Sequence, residues 1–174
     1  LSYELEYTND ALVSLKNFIH TYPKSVYYVE ANELLADLFL MTRNYEEAMS
    51  IIDALPTKSV KLQEAYQKMA YFRAVENYND YKPDAAIAFF DKSLKYPISK
   101  NLEALCYYWK AEIAYQRGEY DKSIALLQKF MPLSGSVTTE YTDKVNAGTA
   151  YYLQGYNYYK KKDYSNAVAS FSKA

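Results

Sequence analysis

The stretch Gly155-Tyr156-Asn157-Tyr158-Tyr159-Lys160-Lys161-Lys162-Asp163-Tyr164-Ser165-Asn166-Ala167 decides how this chain is read. A small residue stands at each end, 12 positions apart, with a short polar turn between them. The same interval separates Ala36 from Ala48, Ala74 from Ala86 and Ala111 from Ser123. Small side chains let two helices approach closely. A separation that never varies across a turn implies one hairpin geometry used four times. Variation falls instead between hairpins, where a loop absorbs it.

Working outward, each second small residue is followed four positions on by a large apolar one. The pairs are Ala11 with Leu15, Ala48 with Ile52, Ala86 with Phe90, Ser123 with Leu127 and Ala167 with Phe171. Their starts step by 37, 38, 37 and 44 residues, a period that signals a repeat array. Ala31, Leu34, Leu35, Leu38 and Phe39 follow the three-and-four spacing of one helical face, as do Ile124, Leu127 and Phe130. Gly118 suits a helix end because it takes positive φ cheaply. Asn44 and Asp163 are placed to cap the helices after them. Pro23, Pro97 and Pro132 follow second helices and stop them.

The expected map is a helix over 8–21, then pairs 25–42 with 45–54, 58–78 with 83–95, 100–117 with 120–130, and 138–162 with 164–174. Residues 131–137 are expected to be a loop, accounting for the 44-residue step. Residues 1–7 are expected to finish a truncated helix, the chain being a segment of a longer protein. One array over 1–174 follows: a partial repeat over 1–23, then repeats over 25–56, 58–97, 100–132 and 138–174.

These residues resemble the tetratricopeptide repeat, whose pattern is Trp-x2-Leu-Gly-x2-Tyr, then Ala-x3-Phe, then Pro. The last repeat supplies Tyr151, Gln154, Gly155 and Tyr158, then Ala167 and Phe171. The repeat before it supplies Tyr107, Lys110, Ala111 and Ala114, then Ser123 and Leu127. The resemblance implies an all-α solenoid, a right-handed superhelix of about four and a half antiparallel hairpins with first helices on the concave side. It also implies a non-catalytic scaffold for a protein or peptide partner. Phe18-Ile19-His20-Thr21-Tyr22-Pro23-Lys24-Ser25, with Glu30-Ala31 after it, is similar to envelope members of the family in Gram-negative bacteria. That likeness implies a periplasmic or outer-membrane-associated location, the alternative being the cytoplasm.

In this family, groove-facing positions flank the small residue of each first helix. Three before and four after it give Glu33 and Leu40, Tyr71 and Tyr78, Tyr108 and Tyr115, Tyr152 and Tyr159. The next position after it gives Asp37, Val75, Glu112 and Tyr156. The expectation is a groove floored by the seven tyrosines, with the three acids supplying negative charge. Tyrosine suits such a face, because its ring buries area at little rotamer cost. The bland alternative is that the rings pack between neighbouring helices. Peptide is the expected ligand, with a glycan-binding module or a structural spacer as alternatives.

Composition narrows the function classes. Lys and Arg number 20 against 21 Asp and Glu, so the basic excess of a nucleic-acid binder is missing. Tyrosine is abundant at 22 residues, against one Trp. The single cysteine, Cys106, excludes an internal disulfide and lies in an apolar run typical of a buried thiol. His20 is the only histidine and has no zinc-spaced partner. Lys160-Lys161-Lys162 closes a helix, where positive charge is favourable. No phosphate loop or dinucleotide motif occurs, and no apolar run is long enough to embed in a membrane. The sequence thus calls for no enzyme, cofactor or metal. It leaves open self-association through the terminal repeat.

Overall fold

The computed structural model describes residues 2–174, with side chains described from residue 7 onward. Among the described residues nine α-helices follow one another: α1 (Ser2–Thr21), α2 (Tyr28–Thr42), α3 (Tyr45–Ala54), α4 (Val60–Asn79), α5 (Pro83–Ser93), α6 (Lys100–Gln116), α7 (Tyr120–Phe130), α8 (Ala147–Lys160) and α9 (Tyr164–Phe171). A 3-10 turn, Met131–Ser136, lies between α7 and α8. Among the described residues there is no strand.

Helix α2 packs on α4, α4 on α6 and α6 on α8, whereas among the described residues no second helix lies close along the next second helix. Closer spacing on one side bends the stack, so the first helices line the inner face. The array is an α-solenoid in which each hairpin buries its surface on its neighbours.

The eight small residues are all buried. Ala74, Ala86, Ala111 and Ser123 have no exposed surface, and Ala36, Ala48 and Ala167 keep 3 % or less. In the fourth hairpin the seam is tied directly. The Ser123 hydroxyl donates to the Ala111 carbonyl at 2.8 Å, and Asn157 of α8 donates to the same hydroxyl oxygen at 2.9 Å. Gly155 needs its missing side chain: a Cβ there would stand 2.5 Å from the Phe171 ring. Two buried clusters form the core, one through α1–α4 and one through α4–α8, with Phe72 and Phe89 packed against both.

The turns share a conformation that the residues do not advertise. Arg43, Tyr81, Gly118 and Lys162 each lie seven positions after the first small residue, and all four have positive φ. After α4, α6 and α8 the ends close as Schellman motifs. Lys82 N donates to Asn77 O and Tyr81 N to Tyr78 O, with the same pairs at Glu119 and Gly118 and at Asp163 and Lys162.

Several boundaries differ from the sequence expectation. The largest difference is in the last repeat, where the helix begins at Ala147 and not at 138. Asn146 builds a capping box there, accepting from Thr149 N at 2.9 Å while Thr149 Oγ1 accepts from Asn146 N at 3.0 Å. Helix α2 starts three residues late, because the Ser25 hydroxyl accepts from Tyr27 N and holds a turn. The expected 131–137 loop is mostly the 3-10 turn, and α1 runs unbroken from Ser2. Asp163 caps α9 as expected, but Asn44 does not cap α3: its amide donates to Glu47 Oε2 instead. Ser59 and Ser99 cap α4 and α6.

Candidate binding surface

Positions three before each small residue on α4, α6 and α8 carry Tyr71, Tyr108 and Tyr152, and only the last is open. Tyr71 is 2 % exposed, Tyr108 8 % and Tyr152 53 %. Tyr71 is enclosed by Phe72, Phe90 and Tyr141, with ring centroids about 6 Å away. Its hydroxyl accepts from Trp109 Nε1 of the next first helix at 3.2 Å. Tyr108 packs on Trp109 and Phe130. These two rings are therefore core residues and do not floor a groove. Burial raises the Tyr71 and Tyr108 phenols above their ordinary range.

The remaining tyrosines keep solvent access. Tyr78 is half-buried, 5.3 Å from the Trp109 ring, and its hydroxyl accepts from Gln116 Nε2 at 3.2 Å. Burial raises its phenol too. Tyr115 is half-buried against Tyr120. Tyr152 and Tyr156 stack edge to face at 4.8 Å and share a 3.1 Å hydrogen bond between hydroxyls, which raises the Tyr156 phenol. Tyr159 is 53 % exposed beside Tyr164. A cleft of about 370 Å³ opens beside Tyr78, between the ends of α4 and α6, and is lined by Asn79, Tyr81, Pro83 and Gln116.

The acidic side chains are largely committed. Glu33 accepts from the Ser59 hydroxyl at 2.6 Å, and Lys61 of α4 reaches both Asp37, at 3.0 Å, and Glu33, at 4.0 Å. The hydrogen bond to Asp37 raises the Lys61 ammonium above its usual value. Glu112 accepts from Gln116 and, among the described residues, pairs with no cation. Leu40 is half-buried against the first core cluster. The inner face is thus aromatic at its α6–α8 end and charge-balanced at its α2–α4 end.

Sequence reasoning missed Lys61, Lys68, Trp109 and Gln116, which pair the acids or cover the rings. Trp109 had a signal, being the only tryptophan and adjacent to Tyr108. Elsewhere, burial pushes the Cys106 thiol up to about 12, leaving it inert. No helix among the described residues is long and apolar enough to cross a membrane.

A stack of paired helices with small-residue seams and an inner face of first helices defines a helical-repeat protein. Residues 78–134 and 148–174 each match a tetratricopeptide repeat model, so the chain carries tetratricopeptide repeats. Solved structures share the fold. One MamA structure is 20 % identical with a TM-score of 0.52, covering 95 % of this chain and 85 % of that one. A second MamA structure is 19 % identical with a TM-score of 0.51, over 98 % and 82 %. BtubC from P. vanneervenii is 12 % identical with a TM-score of 0.51, over 98 % and 88 %. At these identities the likeness speaks to fold alone. No curated protein matches the sequence.

Proposed function

We propose that this chain is a non-catalytic scaffold that holds an extended peptide segment of a protein partner along its inner face. The observation that carries the reading is a row of solvent-accessible rings on successive first helices: Tyr78 on α4, Tyr115 on α6, and Tyr152, Tyr156 and Tyr159 on α8. Rings already held by neighbours lose little freedom on binding, and each offers an apolar face with a hydroxyl at its edge. Tetratricopeptide repeats in general mediate protein–protein contact, which agrees with this use of the face.

The test is selection of binding peptides from a displayed library, followed by titration against Tyr115→Ala and Tyr152→Ala. Each change is expected to weaken a selected peptide about tenfold or more, as loss of an aromatic anchor does, with the helical circular dichroism unchanged. A peptide whose affinity ignores both changes would place the site elsewhere. A bacterial envelope location and self-association through the terminal hairpin belong to the same proposal. Cell fractionation and light scattering across concentration test them; a cytoplasmic, strictly monomeric protein would remove both.

A further inference from the structure

The connection between α7 and α8 does not hang in solvent. Asn101, in the first turn of α6, grips Thr138 from both sides: its amide donates to Thr138 Oγ1 at 2.7 Å, and its Oδ1 accepts from Thr138 N at 3.4 Å. Val145 is 4 % exposed and joins the larger core cluster. Between these anchors the chain lays Glu140 and Tyr141 on α4. The Tyr141 ring lies 5.8 Å from Tyr71 and 6.0 Å from Phe72, edge to face with both. Lys68 Nζ stands 5.6 Å from the Tyr141 ring centre and 3.9 Å from Glu140 Oε1. Lys68 and Tyr71 continue, at helical spacing, the face that carries Tyr78 at its other end. One irregular stretch of the protein, turned at residues 139–141, thus lies across the first helices of two repeats.

We propose that this part of α4 is a recognition site for a short peptide in which an acidic residue immediately precedes a tyrosine, and that residues 138–144 occupy it until a partner displaces them, Val145 staying in the core. Lys68 matches both halves of the motif, because it meets the carboxylate as an ion and the ring as a cation over a π face. Tyr71 and Phe72 supply the edge-to-face walls. Between the Asn101–Thr138 contact and the buried Val145 the segment is held at few points: Thr138, Thr139, Glu140, Asp143 and Lys144 are exposed, and Tyr141 is half-buried. Few buried contacts mark a part of the fold that opens at low cost. A tethered occupant acts at an effective concentration in the mM range, so a free peptide of the same chemistry competes poorly until the tether's ring is removed.

The proposal rests on the inner-face reading and is tested separately from it. A labelled peptide, Thr-Thr-Glu-Tyr-Thr-Asp-Lys-Val, is titrated by fluorescence anisotropy against the full chain, against Tyr141→Ser, and against a chain with 139–143 replaced by a Gly/Ser linker of equal length. The peptide is expected to bind both altered chains at least tenfold more tightly than the original. Adding Lys68→Glu should weaken that binding about tenfold, and a Glu-to-Lys change in the peptide should recover part of the loss. Equal affinity for all chains overturns the proposal, as does no binding to an altered chain that circular dichroism shows folded. Failure of both altered chains to fold also overturns it, because the segment is then an indispensable part of the core. If library-selected peptides still depend on Tyr115 and Tyr152 while this peptide binds nowhere, the inner-face reading stands and this site falls. If no peptide binds any chain, both fall.

Discussion

Tyr71 and Tyr152 occupy the same position in two hairpins, yet one is 2 % exposed and the other 53 %. Neither the residue nor the helix face differs. What differs is the cover: Tyr71 has Trp109 from the next first helix and Tyr141 from the α7–α8 connection, whereas among the described residues the rings beside Tyr152 are Tyr156 and Phe171 of its own hairpin. In a solenoid a position becomes core or contact surface according to its neighbours. Tyr108, with Trp109 and Phe130 against it, belongs with Tyr71.

The strongest attempt to break this comparison is to truncate both rings. Tyr71→Ala removes a fully packed aromatic and should cost about 3–5 kcal/mol in urea unfolding, the range for large aromatic truncations in cores. Tyr152→Ala should cost about 1 kcal/mol or less, as a change at an exposed site does. Equal costs would mean that the terminal hairpin is held together more tightly than its exposed rings imply.

Alkaline titration sharpens the same contrast. Tyr66 of α4 is pushed up to about 12, chiefly by burial and then by donating its hydroxyl proton to Asp53 at 3.0 Å. Tyr71 is raised as well, again by burial. The folded chain holds these protons, whereas an unfolded tyrosine releases its own near 10.0. Their contribution to stability is therefore complete below the unfolded value and is lost as the pH climbs toward the folded one. Helix content should fall over that window, with the phenolate absorbance of the core rings rising in the same step. Tyr66→Phe should move the transition to higher pH. Core phenolate appearing well before any loss of helix would contradict the burial argument.

How much of this was legible in the sequence depends on where each constraint lives. The burial of the eight small residues was, because close approach of two helices demands small side chains at a fixed interval. Ala111 and Ser123 kept that interval even where a hydroxyl had joined the seam. The fate of the tyrosines was not, because the atoms covering Tyr71 come from Trp109 and Tyr141, 38 and 70 positions away in the chain. The neutralisation of Asp37 by Lys61 was hidden likewise, since it crosses from one repeat to the next. The late start of α8 follows from Asn146 and Thr149, a capping pair that a hydrophobic pattern does not display.

The turns offer the smallest test. Arg43, Tyr81, Gly118 and Lys162 adopt the same left-handed conformation at the same place in four hairpins, and only one is glycine. The geometry is therefore imposed by the way each hairpin closes, against the preference of three side chains. Tyr81 is 93 % exposed, so its side chain offsets little of that cost. Replacing Tyr81 or Lys162 by glycine should relieve the strain and raise stability, by about 1 kcal/mol at most once the added freedom of the unfolded chain is subtracted. Gly118→Ala should lower it by a similar amount. Tyr81→Gly acts in the middle of the stack and Lys162→Gly only on the terminal hairpin. Global unfolding should thus register the first, while hydrogen exchange confined to α8 and α9 should register the second. Loss of stability in Tyr81→Gly would show that this ring is held by contacts outside its own turn.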